Sequence, residues 1–234
     1  RVRETMKVCS SGGAPMPVEV MKEFQERFGV RVMEGYGLSE TSPLACFNHF
    51  ERPSKPGKVG QQIFGVEVRC VDDDDNEVPR GQRGEVVIRG TNVMKGYYKR
   101  PEATAEAFRN GWFHTGDIGI IDDEDYLAIV DRKKDMILRG GYNIYPRELE
   151  EVIITHPLVS LCAVIGVPDE RLGEEVKAFV VLKPGCSMTE AEFTDWCKTQ
   201  FAANKYPRHV EFRESLPIGG TGKIFKRALK EEAA

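Results

Sequence analysis

Four stretches of the chain carry residue types and spacings that can do chemistry. Glu34-Gly-Tyr-Gly-Leu-Ser-Glu-Thr41 sets two glycines among three hydroxyls and two carboxylates. Gly35 and Gly37 let a backbone pass close to a ligand, Ser39 supplies a hydroxyl, and Glu40 supplies a hard oxygen suited to Mg2+. One carboxylate, acting with a substrate's own phosphates, is the usual way magnesium is held beside ATP. Thr115-Gly116-Asp117 predicts a tight turn that aims a carboxylate outward, where it can accept both hydroxyls of a ribose. In Ser11-Gly12-Gly13-Ala14-Pro15 the missing Cβ atoms let a flat ring approach the backbone, although a Gly-Gly pair by itself also makes a plain strand-to-helix turn. Pro217-Ile-Gly-Gly-Thr-Gly-Lys223 presents a lysine on a glycine loop. That loop is no P-loop: the first glycine of such a motif would fall at Pro217, and Ile224 stands where the metal-binding hydroxyl belongs.

A fifth stretch, Asp131-Arg-Lys-Lys-Asp135, has five charges in a row and standing alone reads as a solvated turn. In company, these motifs resemble, in the same order, those of the adenylate-forming enzymes: acyl-CoA synthetases, firefly-type luciferases and the adenylation domains of peptide synthetases. The resemblance runs nearly the whole length of the chain. It implies that Gly12, Gly13 and Ala14 contact adenine. It also implies that Glu34, Gly35, Tyr36, Gly37 and Ser39 hold the nucleotide, that Glu40 holds the metal, and that Asp117 and Arg132 bind the ribose. Lys134 becomes a hinge, Arg139, Gly140, Gly141 and Tyr142 line the tunnel for the pantetheine arm of CoA, and Lys223 is the catalytic lysine. Members of the family often have Thr where Ser39 stands, and Ser keeps the hydroxyl. Gly111-Trp-Phe-His-Thr-Gly-Asp117 and Arg139-Gly-Gly-Tyr-Asn-Ile-Tyr-Pro146 look most like the fatty-acid branch, with an aryl acid as the other substrate class. A domain that loads a carrier protein and a non-enzymatic nucleotide-binding fragment are the alternative readings.

The elements that must position these residues follow from periodicity. Met6–Ser10 predicts a buried strand, and Pro17–Phe28 a helix with Val18, Met21, Phe24 and Phe28 inward, closed by Gly29. Val30–Met33 is a second strand delivering the Glu34 segment. From Gly57 to Val130 short alternating runs (Gly65–Val71, Gly84–Arg89, Tyr126–Val130) predict a small β-subdomain, with a helix entered at Pro101. Asp72–Asn76 and Asp122–Asp125 read as hairpin tips, since neither has EF-hand spacing. Beyond the charge run come a helix from Pro146 to Thr155 and strands Val159–Val167 and Val176–Leu182. A capped helix follows from Thr189, then a strand His209–Phe212 and a basic terminal helix. The fold expected is α/β and α+β: residues 1–130 as the C-terminal portion of a large adenylate-forming domain (the end of an α/β subdomain plus a small β-barrel-like subdomain), and residues 131–234 as a small mobile α+β C-terminal domain.

Composition sets the remaining bounds. A chain 41% hydrophobic and 30% charged, with net charge −4, has enough apolar residues for a core and no basic excess directed at nucleic acid or an anionic membrane. Six cysteines without a C-x-x-C pair read as thiols of a reducing compartment, which points to the cytoplasm. No apolar run reaches membrane-spanning length and no signal peptide opens the chain. The start at Arg1, close upstream of a strand, predicts a cut inside a larger fold, because the family's phosphate loop and most of the acyl pocket belong N-terminal to everything present. The implied small-molecule partners are a carboxylic acid, ATP with Mg2+, and CoA; oligomeric state is not legible.

Overall fold

The computed structural model describes residues 2–14, 16–220 and 222–233. The chain forms two compact units, Arg1–Lys133 and Lys134–Ala234.

The first unit opens with a short helix α1 (Val2–Thr5) and then strand β1 (Val8–Ser11), helix α2 (Val18–Phe28) and strand β2 (Arg31–Tyr36). β1 and β2 pair in parallel, so α2 is a crossover that buries Met21 and stops at Gly29 with φ 62°, a left-handed angle that glycine adopts without steric cost. β2 also pairs with β3 (Cys46–Phe47), and β3 with β4 (Gln61–Gln62), both antiparallel. A second sheet holds β5 (Val66–Val71), β6 (Arg83–Gly90), β7 (Phe108–Arg109), β8 (Trp112–Ile121) and β9 (Leu127–Arg132), in the order β5-β6-β8-β7 with β9 on β8. Helix α3 (Pro101–Ala107) precedes β7 and starts at proline as the sequence predicts. Val66, Val68, Cys70, Val86, Ile88, Phe113, Ile121 and Leu127 form the core of this part.

β8 is the main departure from the sequence reading. The tight turn expected at Thr115-Gly116-Asp117 lies inside a ten-residue strand. Gly116 does take an unusual φ of 70°, but β6 lies along one side of β8 and β9 along the other, so the irregularity becomes a bulge rather than a reversal. The ladder steps from Glu85 opposite Ile118 to Val87 opposite His114 across it. At the two acidic tips, Asp72 Oδ1 accepts the Asp74 and Asn76 amides and Asp122 Oδ1 accepts those of Glu124 and Tyr126, which makes them turns closed by their own carboxylates.

In the second unit a hairpin of β10 (Ile137–Arg139) and β11 (Tyr142–Ile144) leads into helix α4 (Pro146–Ile153). The long strands β12 (Val159–Asp169) and β13 (Gly173–Leu182) follow, then α5 (Glu190–Gln200), β14 (His209–Phe212) and α6 (Lys226–Ala233). The sheet order is β11-β10-β13-β12, with β14 parallel to β13. Beyond an irregularity between Val159 and Leu161, residues alternate between two covered faces. Cys162, Val164, Val176, Ala178 and Val180 pack with Leu149, Ile153, Phe193 and Cys197, while Ala163, Ile165 and Phe179 pack with Leu216 and Leu229. Two covered faces explain why β12 and β13 read as continuous apolar runs. The predicted cap of α5 forms, with the Glu192 amide donating to Thr189 Oγ1 at 3.3 Å and the Thr189 amide to Glu192 Oε2 at 2.8 Å. The six cysteines are free thiols.

Candidate functional site

In the first unit the motif residues gather at the carboxyl ends of β1 and β2, the end at which open α/β sheets take ligands. Ser11 sits opposite Glu34 in the parallel ladder, so the Gly12-Gly13-Ala14 turn and the Glu34–Thr41 segment leave the sheet side by side. Gly13 has φ 78° with open space around its Cα, and Gly12 and Ala14 are exposed. Pro15 lies outside the described residues. Gly35 and Gly37 acquire a task different from the one expected of them. A Cβ on Gly35 would meet the Phe47 ring at 2.6 Å, and one on Gly37 would lie 1.8 Å from the Pro43 carbonyl oxygen. These glycines admit the chain's own returning loop, whatever they also leave for a ligand.

That loop is tied from several directions. Ser39–Thr41 form a 3-10 turn in which buried Thr41 accepts the Leu38 amide and donates to backbone carbonyls, while Ser39 remains exposed. Asn92 Nδ2 donates to the Thr41 and Leu44 carbonyls at 2.8 and 2.7 Å, and the Met94 amide donates to the Glu40 carbonyl. Tyr97 donates its hydroxyl to Glu40 Oε1 at 3.0 Å, and this contact raises the Tyr97 phenol, after burial, above its ordinary value. Tyr97 was visible in the sequence only as an aromatic before Pro101; nothing in the spacing linked it to Glu40, far upstream.

Asp117 is the centre of the site. It is buried, at 5% exposed, where the sequence predicted a carboxylate aimed outward. Its Oδ2 accepts the Tyr36 hydroxyl at 2.7 Å, and its Oδ1 accepts Arg132 Nε at 3.0 Å from directly across the β8–β9 ladder. Burial first, then the charge of Asp117, pushes the Tyr36 phenol far up, so it stays a hydrogen-bond donor at any physiological pH. The carboxylate therefore remains an oriented acceptor, with Arg132 beside it half-exposed. Glu85 is a further residue that motif reading passed over. It is buried on β6, accepts the Gly116 amide at 3.2 Å through Oε1, and faces Lys133 Nζ at 3.4 Å through Oε2. The available signal was a lone carboxylate in the otherwise apolar run Gly84–Ile88.

The second unit holds the other predicted residues. Lys134 is exposed and is the first residue of that unit. Gly140 and Gly141, with φ 56° and 84°, form the tip of the β10–β11 hairpin between paired Arg139 and Tyr142, the geometry of a two-residue turn that needs positive φ twice. Tyr142 is exposed. The Arg139 guanidinium is held by both oxygens of Glu175, with Nη2 to Oε2 at 2.8 Å. Burial alone would raise the Glu175 carboxyl, but the Arg139 and backbone hydrogen bonds bring it below its ordinary value. Lys223 is exposed on a small hairpin: Ile218 bridges Ile224, the Gly219 amide donates to the Lys223 carbonyl at 2.8 Å, and Gly222 has φ 79°. Thr221 lies outside the described residues. Among the described residues no group of three or more His, Cys, Asp or Glu forms a metal cluster, and no helix is long and apolar enough to cross a membrane.

Parallel strands delivering two glycine motifs, a buried carboxylate set by tyrosine and arginine, and a separate unit carrying a lysine hairpin define the class. The chain belongs to the AMP-binding enzyme family, whose profile matches residues 2–98, with that of the AMP-binding enzyme C-terminal domain matching residues 148–223. It is 45% identical over 229 residues to a long-chain-fatty-acid–CoA ligase of Escherichia coli O6:H1, covering 98% of this chain and 41% of that protein. It is 43% identical to a feruloyl-CoA synthase of an Amycolatopsis species, covering 97% of this chain and 46% of that one. The ATP-bound crystal structure of MatB from Rhodopseudomonas palustris superposes with a TM-score of 0.92 at 39% identity, covering 95% of this chain and 44% of MatB. The chain thus spans less than half the length of these relatives.

Proposed function

We propose that the protein containing this chain is an AMP-forming acyl-CoA synthetase of the cytoplasm, which activates a fatty acid with ATP to an acyl-adenylate and passes the acyl group to CoA. The observation that carries this reading is the Tyr36–Asp117–Arg132 triad. A buried anionic acceptor, fixed by one neutral and one cationic donor, suits paired ribose hydroxyls better than a metal or a cationic substrate. Gly12, Gly13 and Ala14, leaving the sheet beside Glu34, are the residues assigned to adenine.

Glu40 suits magnesium by donor chemistry: it is a single carboxylate, steadied by Tyr97 and adjacent to an exposed hydroxyl at Ser39, the kind of partial ligand set that leaves room for water and phosphate oxygens. When bound, the cation would neutralise phosphate charge. In the first half-reaction the substrate carboxylate attacks the α-phosphate and pyrophosphate leaves. Negative charge grows on the phosphate oxygens, and Lys223 supplies the protein's cation against it. In the second half-reaction the thiol of CoA attacks the acyl carbonyl and AMP leaves. The lysine is no longer required there, and a turn at Lys134 exchanges it for the Arg139–Tyr142 hairpin. The solvent exposure of Lys134, at the start of its unit, supports this assignment.

CoA-dependent AMP release by the protein with its N-terminal part restored, across a panel of fatty and aryl acids, tests the reading. Fatty acids are expected to give the highest kcat/KM. Preference for a hydroxycinnamate would favour the second reading, an aryl-acid ligase, which near-equal identity to a feruloyl-CoA synthase supports. Acid-dependent pyrophosphate release without CoA turnover would point to loading of a carrier protein, and no release with any acid would overturn enzymatic function.

A further inference from the structure

We infer that Lys133 and Lys230 are positioning residues that confine the turn at Lys134 to a few backbone torsions, Lys133 by fastening the chain to the first unit and Lys230 by fastening it to the second. This inference rests on the hinge reading above and gives roles to two lysines to which the family resemblance assigned none.

On the upstream side, β9 is fastened to β8 up to Arg132, and Lys133 extends the fastening by one residue. Its ammonium reaches Asp73 Oδ1 at 2.8 Å and Glu85 Oε2 at 3.4 Å. Asp73 is 91% exposed and contributes little, but Glu85 is only 8% exposed, so its ion pair is poorly screened. Glu85 also faces Arg109 Nη2 at 3.7 Å and His114 Nδ1 at 3.5 Å, and holds the Gly116 amide next to Asp117. One buried carboxylate thus anchors both the ribose-binding strand and the last residue before the turn.

On the downstream side, Lys230 Nζ donates to the Lys134 carbonyl at 3.4 Å and lies 3.7 Å from Asp135 Oδ1. Its base, α6, is firmly docked: Leu229 is fully buried, Lys226 pairs with Glu150 at 2.7 Å, and Glu232 pairs with Arg213 at 2.6 Å. The same helix begins three residues after Lys223, so the element that carries the lysine hairpin also grips the turn.

The backbone geometry then decides what can rotate. Turning φ of Lys133 would carry its side chain away from Glu85. Turning φ of Asp135 would separate the Lys134 carbonyl from Asp135, and Lys230 could no longer hold both. Because the peptide bonds are planar, the torsions that leave both brackets intact are ψ of Lys133 and φ and ψ of Lys134. A pivot of three torsions has few end states, which is what two half-reactions need.

The test uses the protein with its N-terminal part restored, carrying bio-orthogonal spin labels at exposed positions 106 and 195, one in each unit. Lys133→Gln and Lys230→Gln are each expected to broaden the inter-label distance distribution and to slow thioester formation from preformed acyl-adenylate by about twofold to fivefold. Lys133→Arg restores both, and the unfolding temperature stays nearly constant. A Gln variant that lowers the unfolding temperature while leaving the distribution at wild-type width overturns the inference, because the lysine is then structural only. Lys134→Pro in the same background separates the two ideas. If it narrows the distribution while neither Gln variant broadens it, the brackets fail and the hinge stands. If it leaves the distribution as in wild type, the hinge reading fails and the brackets with it.

Discussion

The surroundings of Asp117 and Lys223 differ in kind. Asp117 sits inside a sheet, with a partner on each oxygen, a neighbouring amide held by Glu85, and a tyrosine kept protonated beside it. Lys223 stands in solvent on a short glycine hairpin tied, among the described residues, by three backbone hydrogen bonds. On the proposed reading Asp117 recognises a constant part of the ligand, and such a group gains from being over-determined, since orientation fixed in advance costs nothing at binding. On the proposed reading Lys223 is needed in only one of two chemical steps, and such a group gains from a mounting that can leave. The glycines divide in the same way. Gly35 and Gly37 are required by atoms already packed against them, whereas Gly222 is required only by its φ.

The sharpest attack on this contrast is Lys223→Ala in the complete enzyme. Single-turnover adenylate formation is expected to slow by about two to three orders of magnitude, with thioester formation from preformed adenylate far less affected and the unfolding temperature unchanged. Equal loss in both half-reactions would remove the lysine from its assigned step. Next in size is Gly37→Ala, whose methyl has nowhere to go against the Pro43 carbonyl. We expect a loss of about 2–4 kcal/mol in denaturant titration, against about 1 kcal/mol for Gly222→Ala, where only the backbone angle is strained. Comparable losses would mean that the first unit's glycines are no more constrained than the second's.

Asp117→Asn keeps the shape but removes the charge that Arg132 and Tyr36 face. It should weaken ATP binding by about tenfold or more, measured calorimetrically, and cost about 1–3 kcal/mol of stability because buried donors lose their best acceptor. The smallest effect belongs to Tyr36. Its phenol lies above its ordinary 10.0 in the native state, so the folded form holds that proton more tightly than the unfolded chain does. The associated stability is whole below about pH 10 and declines as pH rises beyond it. In an alkaline titration followed by tyrosinate absorbance, wild type minus Tyr36→Phe should show no ionisation step near about pH 10, and a step there would mean that the phenol is solvated and its bond to Asp117 weak.

Much of this was legible in the chain itself. Runs rich in β-branched residues located β12 and β13, a capping box located α5, and Gly29 closed α2, because each depends on residues a few positions apart. Asp117, Glu40 and Lys223 could be singled out because their motifs combine unusual residue types at close spacing, whereas Arg132, in a charge run that alone reads as a solvated turn, was reached only through the family resemblance. The strand β8 could not, since Thr115-Gly116-Asp117 has the composition of a turn and becomes a bulge only through the strands on either side. Nor could the pairing of Tyr97 with Glu40, or of Glu85 with Gly116 and Lys133, be foreseen. These residues are distant in sequence, and no local periodicity encodes which carboxylate a distant donor will find. The sequence by itself determined which side chains are chemically able to act and where the strongly patterned helices and strands lie, because those properties are local. Only the tertiary structure decided that Asp117 is buried rather than outward-facing, and which donors fix its orientation, because burial and long-range hydrogen bonds exist only once distant strands have paired.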